Sequence, residues 1–173
     1  MFAYDNSIFS THYDVIFSII KSTNCQKYLE LGIYDASLIS RVAEIVPIAD
    51  GVDMSDLRTK FNFNFINKST DEFFNANNQI YDIIFIDADH CFESVVKDLE
   101  NSLKILNKNG IIFIHDTDPM YQYLTQPCYC NDSYKMCNYI KENHPELSFV
   151  NLPVSEAGLM IIKRNNEYRH LNY

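Results

Sequence analysis

Two carboxylates and a histidine directly follow an apolar run in the middle of the chain. The run is YDIIFI, residues 81–86, and Asp87, Asp89 and His90 come within four residues of its end. Burying an unpaired charge is costly, so ionisable groups that cluster at the end of a buried strand usually face a cleft, a metal ion or a charged ligand. The stretch therefore predicts a functional site at a strand end.

Other strand-like segments end in the same way. Glu30 and Gly32 close the segment KYLELG, Asp53 closes IADGVD, and His115 with Asp116 closes IIFIHD. In a doubly wound sheet, ligands bind outside the carboxyl ends of the strands, near the point where the strand order reverses. We expect these polar residues to converge at that edge of the sheet.

The turn after the first strand, ELGIYDAS, indicates what kind of ligand would bind there. It holds a single glycine and an acidic residue, Asp35. A pyrophosphate-binding turn needs several glycines so that backbone N–H groups can approach the phosphates, so a phosphate ligand is disfavoured. A ligand with an ammonium group and a ribose fits better, because Glu30 would face the ammonium, directly or through water, and Asp53 would accept hydrogen bonds from the ribose hydroxyls.

Strand-like and helical segments alternate along the chain, which predicts an α/β fold with a mostly parallel sheet between helices. The alternating run FNFNFI is expected at the sheet edge, and Gly110 as a left-handed helix cap. Residues 118–134, with two prolines and four tyrosines, are expected to form a lid or substrate loop. The predicted helices cover 7–22, 36–46, 92–107 and 134–143, and the predicted strands cover 27–32, 48–53, 61–66, 81–86, 111–117, 147–152 and 158–164.

Length, composition and charge restrict the class of protein. A chain of 173 residues that is 47% apolar predicts one domain over residues 1–173, with residues 1–26 holding an N-terminal helix. The net charge of −9, without any cluster of Lys and Arg, predicts no binding to nucleic acid. No apolar run is long enough to span a membrane. Five cysteines, an odd number, and an N-terminus without a secretory pattern favour free thiols in the cytoplasm.

Over roughly residues 27–163 the chain resembles the class I S-adenosylmethionine-dependent methyltransferases, on the ELG turn, the acidic strand end in GVDMSD and the closing hairpin. The segment FIDADHCFES is similar to the branch of small-molecule and sugar O-methyltransferases. The resemblance implies a Rossmann-like, doubly wound, seven-stranded sheet that ends in an antiparallel hairpin. It implies that S-adenosylmethionine is bound by Glu30, Gly32, Asp53 and Asp87, and that a metal ion such as Mg²⁺ is held by Asp87, His115 and Asp116.

On this resemblance we expect methyl transfer to an oxygen of a small hydroxylated acceptor, assisted by the divalent cation. Asp89 or His90 would take the acceptor proton. The short stretch before the first strand leaves little material for an acceptor pocket, so a second subunit of a homodimer is one way to complete the site.

Several alternatives stay open at this point. A methyltransferase that needs no metal is one, and a non-catalytic binding protein of the same fold is another, since Asp35 and Ala36 stand where the family usually has a further glycine. Asp89 alone is also compatible with a helix cap, and either histidine with a structural role. The tyrosines of 118–134 would either pack the lid or form an aromatic wall for the acceptor. A zinc site is disfavoured, because the spacing of the last three cysteines, Cys128, Cys130 and Cys137, matches no common one.

Overall fold

Seven strands form one sheet in the computed structural model, which describes residues 11–55 and 60–165. The strand order is β3-β2-β1-β4-β5-β7-β6. Strands β1 to β5 pair in parallel, whereas β7 runs antiparallel to both β5 and β6. This arrangement confirms the predicted doubly wound sheet with its closing hairpin, and it places β3 at an edge as the sequence indicates. The strands are β1 Lys27–Leu31, β2 Ile48–Asp53, β3 Asn64–Asn67, β4 Tyr81–Ile86, β5 Leu106–His115, β6 Leu147–Leu152 and β7 Leu159–Arg164.

Helices cover both faces of the sheet. On one face, Ile16 of α1 packs in the same apolar cluster as Leu38 of α2. On the other face, Leu99 of α4 shares a cluster with Phe73 of α3 and Met136 of α5. None of the helices in the described ranges is long and apolar enough to cross a lipid bilayer. The helices are α1 His12–Lys21, α2 Ser37–Val42, α3 Thr70–Ala76, α4 Phe92–Ile105 and α5 Met136–Asn143.

All four predicted helices have different bounds in the structure, and α4 and α5 cover Phe92–Ile105 and Met136–Asn143 where 92–107 and 134–143 were predicted. Strand β3 covers Asn64–Asn67 instead of 61–66, and β5 begins at Leu106 instead of 111 because Leu106 pairs with Tyr81 of β4. Residues 7–10 of the first predicted helix lie outside the described residues, and α1 begins at His12 because Thr11 and Asp14 form a capping box there. Helix α2 ends at Val42, four residues before the predicted end, and the chain continues in turns up to Pro47.

Two local features differ from the prediction. Helix α3 was not predicted, although Ser69 and Glu72 form a second capping box at its start, a pattern that is visible in the sequence. Gly110 is no helix cap, because it lies inside β5 without a positive φ. A Cβ at Gly110 would lie 2.7 Å from the Asp82 carbonyl oxygen, so close packing against β4 is the reason for a glycine at this position.

The strand order reverses between β1 and β4, and the carboxyl ends of these strands border the crevice where ligands bind in such sheets. Phe85 of β4 and Phe113 of β5 are register partners and pack in the cluster that α1 covers. Asp87 and His115 lie two residues further along these strands, so they continue on the same face. The fold therefore brings α1 next to these two residues.

Candidate active site

Two clefts open at the carboxyl ends of the strands and meet at Gly32 and Asp53, which line both. The smaller, the Asp53 cleft, has a volume of about 240 Å³, and the larger, the histidine cleft, has about 640 Å³. The histidine cleft alone falls within the volume of small-molecule sites, roughly 300 to 1,000 Å³, and the Asp53 cleft extends it. The Asp53 cleft is also lined by Val52, Met54, Lys68, Ser69, Asp89 and Asp98, and the histidine cleft by His12, Tyr13, Tyr34, Asp87, His90, His115, Asp116, Cys128 and Tyr129.

The turn between β1 and α2 is strained and closely packed. Gly32 has a φ of +80°, and a Cβ at this position would overlap the carbonyl oxygen of Asp87. Tyr34 and Ala36 also adopt positive φ angles, 41° and 60°, which are unfavourable for residues with a side chain. The glycine is thus required for the turn to lie against the end of β4, between the two clefts.

Acidic residues in and near this turn are held by backbone N–H groups. Asp53 accepts hydrogen bonds from the N–H of Ile33 at 3.1 Å and of Ser55 at 2.7 Å, so it joins the ends of β1 and β2. Asp35 accepts the N–H of Ser37 at 2.9 Å and thereby caps the start of α2. The Asp35 side chain does not line either cleft.

Glu30 lies beneath the turn and lines neither cleft. It is 3% exposed, and the hydroxyl of Tyr28 donates a hydrogen bond of 2.5 Å to its carboxyl group. Burial raises the pKa of Glu30 well above its usual value, which the hydrogen bond from Tyr28 only partly offsets. Of the four residues predicted to bind the cofactor, Gly32, Asp53 and Asp87 each line a cleft, whereas Glu30 does not.

In the histidine cleft, two carboxylates interact with two imidazoles. His115 Nδ1 lies 3.1 Å from Asp87 and 3.3 Å from Asp116, and His90 Nδ1 lies 2.8 Å from Asp116. Asp116 adopts a φ of 62°, a strained conformation that turns its side chain towards both rings. The structure thus brings together Asp87, His115 and Asp116, the three residues predicted to hold a metal ion.

The pKa values of these groups are shifted by burial and by their neighbours. Burial raises the pKa of Asp87, whereas for Asp116 the effect of burial is outweighed by His90 and His115, and its pKa is lowered. The hydrogen bond to Asp116 raises the pKa of His90 to about 9. Burial alone would lower the pKa of His115, but the interaction with Asp87 outweighs it and raises that pKa. The cleft therefore holds a tightly coupled set of charges, as functional sites often do.

His12, which was not predicted as a site residue, completes the histidine cleft. Its backbone N–H donates to the hydroxyl of Ser155 at 2.9 Å, and its ring stacks on His115 with centroids 3.9 Å apart. Both ring nitrogens of His12 are buried without a hydrogen-bond partner, as is Nε2 of His115. Burial lowers the pKa of His12 to about 3, so the ring is neutral. The only sequence signal is one histidine in an otherwise apolar helical pattern.

Asp89 and His90, the two predicted bases, are directed into different clefts. Asp89 is exposed, lines the Asp53 cleft and accepts the N–H of Cys91 at 3.1 Å. His90 lines the histidine cleft next to Asp116. Only His90 is thus placed to exchange a proton with a group bound beside the carboxylates.

Residues 118–134 cover one side of the histidine cleft. The carbonyl oxygen of Tyr129 lies 2.5 Å from His90 Nδ1, and the hydroxyl of Ser133 donates to the carbonyl oxygen of His90 at 2.8 Å. Asp132 accepts the N–H of Phe92 at 2.7 Å and ties the segment to the start of α4. The rings of Tyr121, Tyr123 and Tyr129 contact one another in sequence and remain about half exposed.

The donor set of the histidine cleft fits a divalent cation. Two triplets in the described part of the chain bring one ligand atom each to within 4.8 Å of one another, and Asp87 belongs to both. They are His12, Asp87 and His115, and Asp87, His90 and Asp116. Neither includes any of the five cysteines, which are all free, so the structure gives no support to a cysteine-based zinc site.

Residues 36–117, from the turn after β1 to the end of β5, match a family model described as a methyltransferase domain. No curated protein sequence matches the chain. Solved structures with the same fold include a methyltransferase from Podospora anserina bound to S-adenosylhomocysteine. It is 14% identical, has a TM-score of 0.69, and the match covers 95% of this chain and 83% of that one.

Two further solved structures are similar over most of the chain. The O-methyltransferase from Bacillus cereus in complex with S-adenosylhomocysteine is 14% identical, with a TM-score of 0.65 and coverage of 88% of this chain and 80% of that one. The O-methyltransferase TomG from Streptomyces achromogenes, in complex with S-adenosylmethionine, is 9% identical, with a TM-score of 0.66 and coverage of 89% and 79%. At these identities the likeness shows the fold.

Proposed function

We propose that the chain is a class I S-adenosylmethionine-dependent methyltransferase and that it methylates an oxygen of a small hydroxylated acceptor with the help of a divalent cation. The observation that carries the proposal is the junction of the two clefts at Gly32 and Asp53. One cleft offers a carboxylate for ribose hydroxyls, and the other offers paired carboxylates and imidazoles. That two structures of this fold are named O-methyltransferases supports oxygen as the methyl acceptor.

Asp53 and Gly32 would bind the cofactor. Asp53 keeps acceptor capacity for ribose hydroxyls while it holds the N–H groups of Ile33 and Ser55. Gly32 lets the backbone of the turn approach the ligand closely. Glu30, buried beneath the turn, would reach the ammonium group through water. S-adenosylmethionine supplies a methyl group that its sulfonium makes electrophilic, so the protein has to align the acceptor for in-line attack.

Asp87 and Asp116 would hold the cation, with His115 beside them. A divalent cation held by these residues, Mg²⁺ on the family resemblance, would supply a positive charge that lowers the pKa of an acceptor hydroxyl. His90 would take the acceptor proton, because it lines the same cleft as the two carboxylates. The hydrogen bond to Asp116 is the largest cause of its pKa of about 9, so engagement of that carboxylate by a cation would lower the pKa and favour the neutral ring that accepts a proton.

The acceptor would bind in the histidine cleft between Tyr34 and Tyr129. Residues 118–134 would act as the substrate segment of a single domain over residues 1–173, with a homodimer as one way to enclose the acceptor further. The placement of Asp35, which accepts the N–H of Ser37 and lines neither cleft, counts against the non-catalytic alternative.

The first experiment is a thermal-unfolding series with S-adenosylhomocysteine, Mg²⁺, or both. A ligand that binds only the folded protein raises the melting temperature. We expect a rise with S-adenosylhomocysteine and a methylated product by mass spectrometry when catechols or sugars are supplied with S-adenosylmethionine and the cation. Removal of the cation with a chelator should abolish product formation. No response to S-adenosylhomocysteine would refute the cofactor site, and chelator-resistant turnover would refute the role of the cation.

A further inference from the structure

Three tyrosine rings follow one another on the surface of residues 118–134, and we call Tyr121, Tyr123 and Tyr129 the tyrosine row. The rings of Tyr121 and Tyr123 are within 12° of parallel with centroids 5.6 Å apart, and the ring of Tyr129 stands nearly perpendicular to that of Tyr123 at 6.0 Å. Rings in such offset and edge-to-face arrangements leave part of each face uncovered. The three residues are accordingly 41%, 50% and 48% exposed.

Other residues, and not the tyrosine row, pack this segment against the rest of the protein. Leu124 and Cys130 are buried in one cluster with Ala157. The N–H of Cys130 donates to the carbonyl oxygen of Leu124 at 2.9 Å, and the N–H of Met120 donates to the carbonyl oxygen of Glu156 at 2.7 Å. The backbone beneath the tyrosines is thus held in place while their apolar surface stays in water, as expected of a surface that a ligand covers.

The tyrosine row begins at the histidine cleft and leads away from it. Tyr129 lines that cleft, whereas Tyr121 and Tyr123 line neither cleft. An acceptor that fits inside the cleft would contact Tyr129 and leave the other two rings unused. A ligand that uses all three rings therefore extends out of the cleft, with its reacting hydroxyl inside and the rest of the molecule on the row.

The charges in and beside the histidine cleft favour an uncharged acceptor. Among the described residues, no lysine or arginine lines this cleft, whereas Asp87 and Asp116 do. Lys135, which follows the segment, is paired with Asp132 at 2.7 Å. Nucleic-acid bases also stack on aromatic rings, but their phosphates would be repelled by a chain with a net charge of −9.

The side chains along the row combine aromatic faces with amide groups. Gln122 and Gln126 are exposed and alternate with the tyrosines along the segment. An amide group both donates and accepts hydrogen bonds, so it pairs well with hydroxyls. A sugar ring has C–H groups on its faces and hydroxyls around its edge, so a face packs on a tyrosine ring while the hydroxyls reach amides or water.

We propose that the acceptor is a neutral oligosaccharide chain, whose terminal sugar enters the histidine cleft and whose following sugars lie on the tyrosine row. The inference rests on the proposed function and assigns its acceptor to the sugars, because a catechol would leave Tyr121 and Tyr123 unused. The transfer itself is unchanged. The sugar oxygen bonds to the methyl carbon as the C–S bond breaks, the sulfur keeps the electron pair, and His90 takes the proton.

The test probes an array of neutral and acidic glycans of graded length with the wild type, and then titrates the best-retained chain by calorimetry. We expect neutral chains to be retained, and the single sugar to bind at least about 10-fold more weakly than the chain, because it cannot reach the row. Tyr123→Ala should lose at least about 10-fold in affinity for the chain, whereas Tyr123→Phe, which keeps the ring, should lose less than about 3-fold. The melting temperatures of both variants should stay close to that of the wild type.

The matched control is Tyr134→Ala, because Tyr134 belongs to the same segment and is 41% exposed, but its ring does not contact the tyrosine row. It should bind the chain as the wild type does. Retention of no glycan, a preference for acidic chains, or wild-type affinity in Tyr123→Ala would overturn the proposal. So would a dimer that Tyr123→Ala dissociates in light scattering, since the row would then bind a second copy of the chain.

The response of the wild type to S-adenosylhomocysteine separates this proposal from the proposed function. Glycan binding is measured without the cofactor, so the two results are independent. If the melting temperature rises with S-adenosylhomocysteine but no glycan is retained, only the class of acceptor is wrong. If a neutral glycan is retained without any response to S-adenosylhomocysteine, the row binds sugars and the methyltransferase assignment is wrong.

Discussion

The two clefts lie side by side at the same edge of the sheet, yet their carboxylates are held in opposite ways. In the Asp53 cleft, Asp53 and Asp89 accept backbone N–H groups from residues close to them in the sequence or on the adjoining strand. In the histidine cleft, Asp87 and Asp116 depend on imidazoles that arrive from separate elements. Backbone groups give a fixed set of donors, whereas imidazoles can change protonation and partner. We infer that the first cleft is built to hold a ligand and the second to do chemistry.

The largest expected effect is a loss of turnover in a variant of Asp87, a residue of the histidine cleft, with little change in cofactor binding. Asp87→Asn removes the carboxylate shared by both candidate metal triplets, so turnover should fall by at least about 100-fold, as when a metal ligand or its partner is lost. Binding of S-adenosylhomocysteine, measured by calorimetry, should change by less than about 3-fold. A parallel loss of cofactor binding would show that the clefts are not independent.

Asp53→Ala should have the reverse outcome. It removes the acceptor for ribose hydroxyls, so affinity for S-adenosylhomocysteine should fall by about 10- to 100-fold, or roughly 1.4 to 2.8 kcal/mol. Binding of Mg²⁺ in the histidine cleft should stay unchanged. Because the N–H groups of Ile33 and Ser55 also lose their acceptor, Asp53→Asn serves as a control that retains one oxygen for them. Wild-type cofactor affinity in the alanine variant would remove Asp53 from the site.

The next prediction concerns Asp98, a buried carboxyl group in the Asp53 cleft. It lines that cleft at 2% exposure, and burial raises its pKa to about 6, against the hydrogen bond from Thr70. A carboxyl group whose pKa is higher in the folded state stabilises the fold while protonated. That contribution is complete below about pH 4 and is lost as the pH rises through about 6.

Asp98→Asn should therefore raise the free energy of unfolding at pH 7.5 by up to about 3 kcal/mol, since each unit of pKa shift corresponds to about 1.4 kcal/mol. The gain should vanish below pH 4, as urea denaturation at both pH values would show. Glu44→Gln, which alters an exposed carboxyl group in the turns after α2, should change little at either pH. A gain that is equal at both pH values would exclude titration of Asp98 as its source.

The smallest expected effect concerns the strained turn between the clefts. Ala36→Gly relieves the positive φ of 60°, and the gain is partly offset by the entropy of glycine in the unfolded chain. The free energy of unfolding should rise by less than about 1 kcal/mol, with cofactor affinity unchanged because Asp35 still caps α2. A markedly tighter complex in calorimetry would indicate instead that Ala36 itself obstructs the cofactor.

The sequence was sufficient for the sheet, its order of elements and the convergence of Asp53, Asp87, His115 and Asp116, because each residue ends a strand and strand ends meet at one edge. It did not predict that His12 lines the histidine cleft, since the contact with Ser155 spans 143 residues and leaves no local pattern. It also did not predict that Asp89 and His90 line different clefts. The direction of two adjacent side chains after a strand depends on the backbone conformation of the turn, which the sequence does not reveal. Helix α3 was missed even though its capping box was visible.

The link from His12 to Ser155 also has a consequence for synthesis of the protein. The residues of the Asp53 cleft named above all precede residue 99, so they are synthesised before the second part of the chain. The histidine cleft needs Ser155, which accepts the N–H of His12, and the carbonyl oxygen of Gly158, which accepts the N–H of Asp116. The residues of the ligand-holding cleft are thus synthesised first, and those of the reactive cleft are complete only after the β6–β7 connection has been made.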